Sequence, residues 1–262
     1  MSAANYHIGI ISPEQFIAEH TFAFIIKGEM HLYDGSKSYV LRSGEYGLAR
    51  KNRLVRFKKE KEDGELEKVF VFFDEKFLRM FQEKHKITAT KFKSTETVSR
   101  ITKNNLIPNF VQSLLPYYSH GVITEAFADV KREELMIILL QAQPALAGLF
   151  FDYGIPQKIN IEEFMNRNFK FNVSIERFAY LTGRSLSAFK RDFKTIFKDT
   201  PNHWLVKKRL QEAYFLIEKK NKKPVDIYID LGFETLSHFS FAFKKQFGFA
   251  PTQVKHPLKI IS

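Results

Sequence analysis

Residues 174–201 read SIERFAYLTGRSLSAFKRDFKTIFKDTP, and residues 224–251 read PVDIYIDLGFETLSHFSFAFKKQFGFAP. Set fifty positions apart, Leu181, Ser187, Phe189, Phe193, Lys194, Phe197 and Pro201 meet Leu231, Ser237, Phe239, Phe243, Lys244, Phe247 and Pro251. Ile175 and Val225, Glu176 and Asp226, and Phe178 and Tyr228 extend the likeness upstream. With Leu186 and Leu236, these make eight identities in twenty-one positions and mark two copies of one structural unit.

Each copy reads as helix, turn, helix. In the first, Ser174 can cap a helix running to Leu181, Gly183 supplies the turn and Ser185 caps the next helix. In the second, a helix from Val225 to Leu231 is followed by Gly232 and then by a helix capped by Thr235. A short helix, a glycine turn and a longer helix form the supersecondary unit that enters the DNA major groove.

The longer helices divide their faces. Phe189, Phe193 and Phe197 recur every four residues and predict a buried stripe. Ser187, Lys190, Arg191 and Lys194 then fall on a polar, cationic outer face. Arg and Lys reach guanine acceptors, and Ser bonds several base edges. A lone helix of this kind is an ordinary solvated surface. The repeat and the segment joining its copies argue otherwise. Pro201 can open a helix reaching Glu218, with Trp204, Leu205, Ala213 and Leu216 on its apolar side. Those 18 residues span about 27 Å at 1.5 Å per residue. Successive major-groove faces lie about 34 Å apart, so such a strut suits two reading helices on one duplex.

Charge follows the same division. Residues 157–262 hold 20 Lys and Arg against 10 Asp and Glu, while residues 1–156 hold 21 against 19. A basic half beside a nearly neutral one points to a polyanion-binding module joined to something else. The chain has no Cys, which removes disulfides, thiolate metal sites and thiol nucleophiles. No apolar run approaches the roughly 20 residues that span a bilayer. MSAANYHIGI lacks the basic start and apolar stretch of a secretory signal, so a cytoplasmic location is expected.

The neutral half begins as strands. His20 to Lys27, Glu29 to Tyr33, Lys37 to Arg42, Tyr46 to Ala49, Leu54 to Lys59 and Lys68 to Phe73 are short, with Asp34-Gly35 and Ser43-Gly44-Glu45 as turns and Glu60 to Glu65 as a charged loop. A small antiparallel barrel or sandwich is expected. Helices follow: one from Glu75 with Phe77, Met80 and Phe81 on a shared face, one over Asn109 to Leu115, and one from Thr124 to Gln143 with Phe127, Leu135, Ile138 and Leu139 apolar. Such a layer can bury itself on the barrel or serve as a dimer surface. Tyr153-Gly154-Ile155-Pro156 reads as the linker. His20 and His31 invite a metal reading, but a metal-bearing barrel needs a close His pair with a carboxylate, and no His-x-His occurs here. The glycines at 28, 35, 44 and 47 read as turn residues, and no phosphate loop or catalytic constellation is found.

Gly183, Ser185, Phe189, Arg191, Phe193-Lys194, Pro201, Trp204, Arg209-Leu210 and Ala213, with Ile227, Gly232-Phe233, Ser237, Phe239, Phe243-Lys244, Gly248 and Pro251, resemble the DNA-binding domain of AraC/XylS-type bacterial transcription regulators over residues 158–255. The resemblance implies two helix-turn-helix units joined by a long helix. It places the DNA-facing positions on Ser187, Lys190 and Arg191, and on Leu236, Ser237, Ser240 and Phe241. By their charge, Lys244 and Lys245 are expected to anchor the second unit to phosphates. That family usually has Gly where Lys198 stands, Ala at Tyr228, Arg at Phe241 and Tyr-Arg at Val254-Lys255. More weakly, Glu19-His20, Lys27-Gly28-Glu29, Ser43-Gly44-Glu45-Tyr46 and Arg50-Lys51-Asn52 resemble the cupin-like domain of the branch holding type III secretion activators. Such domains bind a small effector or a regulatory protein, and often dimerise.

The expected fold is therefore α+β: a cupin-like antiparallel β-barrel with a helical layer over residues 1–156, and an all-α domain with two helix-turn-helix units over 157–262. The expected function is sequence-specific DNA binding in transcription regulation, as an activator without cofactor or metal. Duplex DNA, RNA polymerase, an effector or regulatory protein and a second copy of the chain are the expected partners. A cupin-type enzyme with an accessory DNA-binding domain is the alternative, and a non-specific architectural protein a third. Segment 157–262 expressed alone is expected to fold and to bind duplex DNA with an affinity that falls steeply with salt, since phosphate neutralisation releases counterions. A folded fragment with no salt-dependent binding in a titration contradicts this.

Overall fold

In a computed structural model the chain forms two compact units, Met1–Gly154 and Ile155–Ser262. The structure describes residues 5–8, 14–58, 66–89, 92, 96–119, 122–123 and 125–254. The charged loop expected over Glu60 to Glu65, the helix start at Thr124 and Lys255 lie outside the described residues.

In the first unit a seven-stranded sheet is built from β1 (Asn5–Ile8), β3 (His20–Lys27), β6 (Tyr46–Ala49), β9 (Glu67–Phe73), β10 (Val98–Arg100), β11 (Tyr118–Ser119) and β12 (Val122–Ile123). Its order is β10-β6-β3-β9-β1-β12-β11. β4 (Glu29–Tyr33), β5 (Ser38–Arg42) and β8 (Arg56–Lys58) form a three-stranded sheet with β4 in the centre, and β2 (Phe16–Ile17) pairs with β7 (Arg53–Leu54). The pairings are antiparallel except those of β1, which runs parallel to β9 and β12. That N-terminal strand is an addition to the expected set. The hairpin at Asp34-Gly35 is also longer than a two-residue turn, since Tyr33 pairs with Ser38. The Asp34 carboxylate accepts from the Ser36 and Lys37 amides, and these bonds, outweighing its partial burial, hold its pKa down at about 2.

The strand period of two explains why β3 and β9 read as unbroken apolar runs: both faces of the sheet are covered. Phe22, Phe24, Val69, Val71 and Phe73 point to one side, under a layer of α1 (Glu75–Lys84), α2 (Leu106–Leu114), α3 (Glu125–Ala142) and α4 (Ala147–Phe150). Ala23, Ile25, Phe70 and Phe72 point to the other, against Met30, Leu32 and Leu41 of the smaller sheet. A cavity of about 320 Å³ opens among these last side chains and Phe16. In α1 the buried residues are Phe77, Leu78 and Phe81; Met80, expected beside them, is exposed. In α3, Leu135, Ile138 and Leu139 are buried as expected, whereas Phe127 is exposed and lies with its ring centroid 4.7 Å from that of Tyr117.

The second unit is all-helical. α5 (Ile161–Asn168), α6 (Ile175–Leu181), α7 (Leu186–Phe197), α8 (Pro201–Lys220), α9 (Pro224–Ile227) and α10 (Leu236–Phe247) follow in order. The capping reading holds in detail: Ser174, Ser185 and Thr235 each accept from the amide three residues on. α8 begins at Pro201 and runs two residues past Glu218, a length of about 30 Å at 1.5 Å per residue. The helix expected over Val225 to Leu231 is shorter, ending at Ile227 and passing through turns to Gly232. No described helix is long and apolar enough to cross a membrane.

His20 is 1% exposed, edge-on to Phe150 and accepting from the Lys51 amide at 3.4 Å. His31 instead meets Glu29 at 3.2 Å near the surface. Burial, with Lys51 and Arg50 nearby, pushes the His20 pKa down from 6.5 to about 3. The unfolded chain therefore takes up a proton that the folded chain refuses. His20's contribution is fully present above pH 6.5 and declines as pH falls toward about 3, at about 1.4 kcal/mol per pH unit. Replacing His20 by Phe, which has a ring but no titrating nitrogen, is expected to flatten the acid limb of stability, read by denaturant titration from pH 7 to 4.5. An unchanged limb counts against this role.

Candidate nucleic-acid interface

The two reading helices are built from the same buried stripe. Phe189 and Phe193 on α7, and Phe239 and Phe243 on α10, are all fully buried. Phe197 and Phe247 complete the stripes half-buried. The first stripe stacks onto the start of α8, with Trp204 4.6 Å from Phe197 and 5.6 Å from Phe193 by ring centroids. The second stacks onto its C-terminal half, with Tyr214 5.1 Å from Phe247. The strut thus carries both units through aromatic contacts.

With one face of each helix fixed inward, the opposite face is fixed outward. Ser187, Lys190, Arg191 and Lys194 are all exposed on α7 and, at about 100° per residue, fall within one stripe. The Arg191 side chain is 77% exposed, and its only described ion pair is to Asp192 at 3.5 Å. Asp192 is engaged more closely by Arg184 at 3.1 Å, a bond that holds its carboxyl below the usual carboxylate range. On α10, Leu236, Ser237, Phe241, Lys244 and Lys245 are exposed, and Ser240 is half-buried. Phe241 is 70% exposed, although it is flanked two residues away on each side by fully buried phenylalanines. Every predicted site residue thus sits on α7 or α10; Ser187, Arg191, Ser237, Phe241 and Lys245 lie farthest from the stripes, while Leu236 falls on the stripe side of α10 and is exposed only at its first turn.

The turns ahead of these helices require glycine for two reasons. Gly183 has φ +67°, and a Cβ there would stand 2.4 Å from the Gln157 carbonyl carbon. Gly232 has φ +81°, and a Cβ there would stand 2.8 Å from both Arg209 Cζ and the Lys170 oxygen. Sequence reading missed the side chains at these close approaches. Arg184 donates to the Ile159 carbonyl at 2.9 Å and the Thr182 carbonyl at 2.6 Å, tying the entering segment to the first turn. Arg209 is buried and bonds only main-chain oxygens among the described residues. Carbonyl partners carry no side-chain signature. The missed helix α5 did carry one: its cap Asn160, Glu162 and Glu163 in the first turn and Arg167 in the last.

Residues 20–148 match the family model described as the ExsA N-terminal regulatory domain, and residues 178–256 match that of a helix-turn-helix domain. The virulence regulon transcriptional activator VirF of Yersinia enterocolitica is 24% identical over 57% of this chain and 56% of its own length. The thermoregulatory protein LcrF of Yersinia pestis is 24% identical over the same shares. The transcriptional regulator ExsA of Pseudomonas aeruginosa is 20% identical over 87% of this chain and 83% of its own. The chain thus spans about half the length of the Yersinia relatives it matches. It belongs to the AraC/XylS family, in the branch of ExsA, VirF and LcrF.

The repeat also exposes a difference in helix ends. α10 ends on Gly248 at φ +86°, a conformation that costs glycine nothing. α7 ends on Lys198 at φ +57°. A side chain in the left-handed region costs about 1–2 kcal/mol. Glycine returns about 0.4–1 kcal/mol of that through a freer unfolded chain. Lys198→Gly is therefore expected to stabilise the unit by about 0.5–1 kcal/mol, measurable as a raised denaturation midpoint. A lowered midpoint overturns this account.

Proposed function

We propose that this chain is a sequence-specific DNA-binding transcription regulator, acting as an activator in the cytoplasm rather than as an enzyme. The observation that carries the reading is the pair of outward stripes on α7 and α10, repeated in sequence and mounted on one strut. Residues 157–262 form the DNA-binding domain, and Ser187, Lys190, Arg191, Lys194, Leu236, Ser237, Ser240, Phe241, Lys244 and Lys245 face the duplex. The lysines neutralise phosphates and set orientation, which positions without specifying. Arg191 supplies the guanine contact, and Phe241 packs on a thymine methyl, a weaker and apolar form of readout.

Residues 1–156 form the regulatory domain. It receives an effector or a regulatory protein and joins a second copy, while the DNA-bound chain engages RNA polymerase. The apolar cavity between the two sheets favours a small-molecule effector, since it lies in the roughly 300–1,000 Å³ range of ligand pockets. The exposed Tyr117, Phe127 and Val130 support a homodimer contact on the helical layer.

The two reading helices do not contribute equally. A bidentate Arg–guanine contact discriminates by about 1–3 kcal/mol. Leu236, Ser237, Ser240 and Phe241 on α10 can make none, and Lys244 and Lys245 anchor that helix to phosphates. Arg191→Ala is expected to relax sequence preference sharply, while Phe241→Ala costs less and acts at an A·T pair. Titrations of both variants against single-base changes of a selected site, with folding checked by circular dichroism, make the comparison. Specificity intact in Arg191→Ala but erased in Phe241→Ala reverses the roles.

A further inference from the structure

The segment between α5 and α6 and the turn between α9 and α10 meet at one side chain of the strut. Arg209 is 8% exposed. Its Nε donates to the Phe169 carbonyl at 2.7 Å, its Nη2 to the Phe171 carbonyl at 2.8 Å, and its Nη1 to the Gly232 carbonyl at 3.0 Å. Two peripheral ties flank it: Lys170 to Glu212 at 2.6 Å and Asn172 to Glu234 at 3.2 Å. The first two carbonyls belong to the segment leading into the first helix-turn-helix. The third belongs to the turn of the second. Burial lowers the Arg209 pKa to about 10, which leaves it cationic at neutral pH.

We infer that Arg209 is a positioning residue that fixes the separation and rotation of α10 relative to α7, and thereby the half-site spacing the protein accepts. This rests on the DNA-reading function proposed above. A guanidinium offers five N–H groups in a rigid plane, and here three of its nitrogens each engage a different carbonyl. A lysine at the same place offers one point of charge and leaves carbonyls unmet. The rotation matters because each base pair turns the groove by about 34°, so a few loose degrees in the junction correspond to a fraction of a base-pair step. With the junction rigid, binding of the second half-site is intramolecular, a gain of about 10²–10⁴ over a single half. With it loose, the same contacts spread over several spacings.

The test uses the full chain and duplexes enriched from random-sequence DNA by the wild-type protein. One series inserts or deletes one to five base pairs between the protected half-sites; another scrambles one half. The wild type is expected to show a sharp optimum in spacing. Arg209→Lys is expected to keep single-half affinity within about twofold, to lose about tenfold or more at the optimal spacing, and to flatten the profile. The Lys170→Ala/Glu212→Ala double variant loosens the junction from its surface and is expected to flatten the profile less, without disturbing the buried guanidinium. Should Arg209→Lys unfold, that double variant decides alone. A folded Arg209→Lys with the wild-type profile overturns the inference, as does an equal loss on single and paired half-sites. A wild-type chain that enriches no sequence overturns the underlying DNA reading and this inference with it.

Discussion

A cation removed from water and met only by main-chain oxygens is the constraint on which the helical unit turns. Arg209 lies within hydrogen-bond distance of three carbonyls from two chain segments, and its described bonds include no carboxylate. Charge-assisted bonds of this kind are about twice as strong as neutral ones. Withdrawing one carbonyl would leave a buried charge partly unmet, a far larger cost than losing a surface bond. The arrangement therefore resists partial opening. It also dictates sequence at a distance: Gly232 must be glycine both for its positive φ and because a Cβ would touch the guanidinium. Around it, α8 collects the two phenylalanine stripes, one through Trp204 and the other through Tyr214.

The first unit is held differently. Its central strands are buried on both faces, so each residue of β3 and β9 has a packing partner on alternate sides. That burial leaves the register little freedom, because a slip of one residue would exchange the two faces. The helical side is filled tightly by aromatic rings, such as Phe73 and Phe150 at 5.3 Å. The side facing the smaller sheet carries smaller and more flexible residues, Ala23, Met30 and Leu41 among them, and it is there that the cavity opens.

What could be read from sequence follows from the range of the forces involved. Caps, stripes and turns are local, and the readings at Ser174, Ser185, Thr235, Gly183 and Gly232 hold residue by residue. The β1 strand joins the sheet by parallel pairing with β9 some sixty residues away, and nothing within Asn5–Ile8 encodes that. Met80 was misplaced because positions 77, 80 and 81 satisfy a helical period as well as 77, 78 and 81 do; the sheet beneath α1 chooses Leu78. α9 is shorter than its repeat partner at its C-terminal end, where the chain leaves the helix after Ile227 and passes through turns to Gly232. Arg209 was legible as part of a family pattern, but its three partners are carbonyls and invisible to any reading of side chains.

The two copies show which positions the fold holds and which it leaves open. Phe189, Phe193 and Phe197 are identical to Phe239, Phe243 and Phe247, since both stripes must fill the same kind of groove on α8. The outward stripes keep Ser187 with Ser237 and Lys194 with Lys244, but differ at their centre, where Lys190 and Arg191 stand opposite Ser240 and Phe241. A phenylalanine 70% exposed in the middle of a helix gains nothing for folding, because its ring touches little of the protein. Its apolar surface becomes useful only when another surface covers it. The same holds for Arg191, whose side chain is 77% exposed and makes only a 3.5 Å contact with Asp192 among the described residues. Burial therefore explains the shared phenylalanines, whereas neither the exposed pairs the copies share nor the central pairs in which they diverge are fixed by packing within the unit.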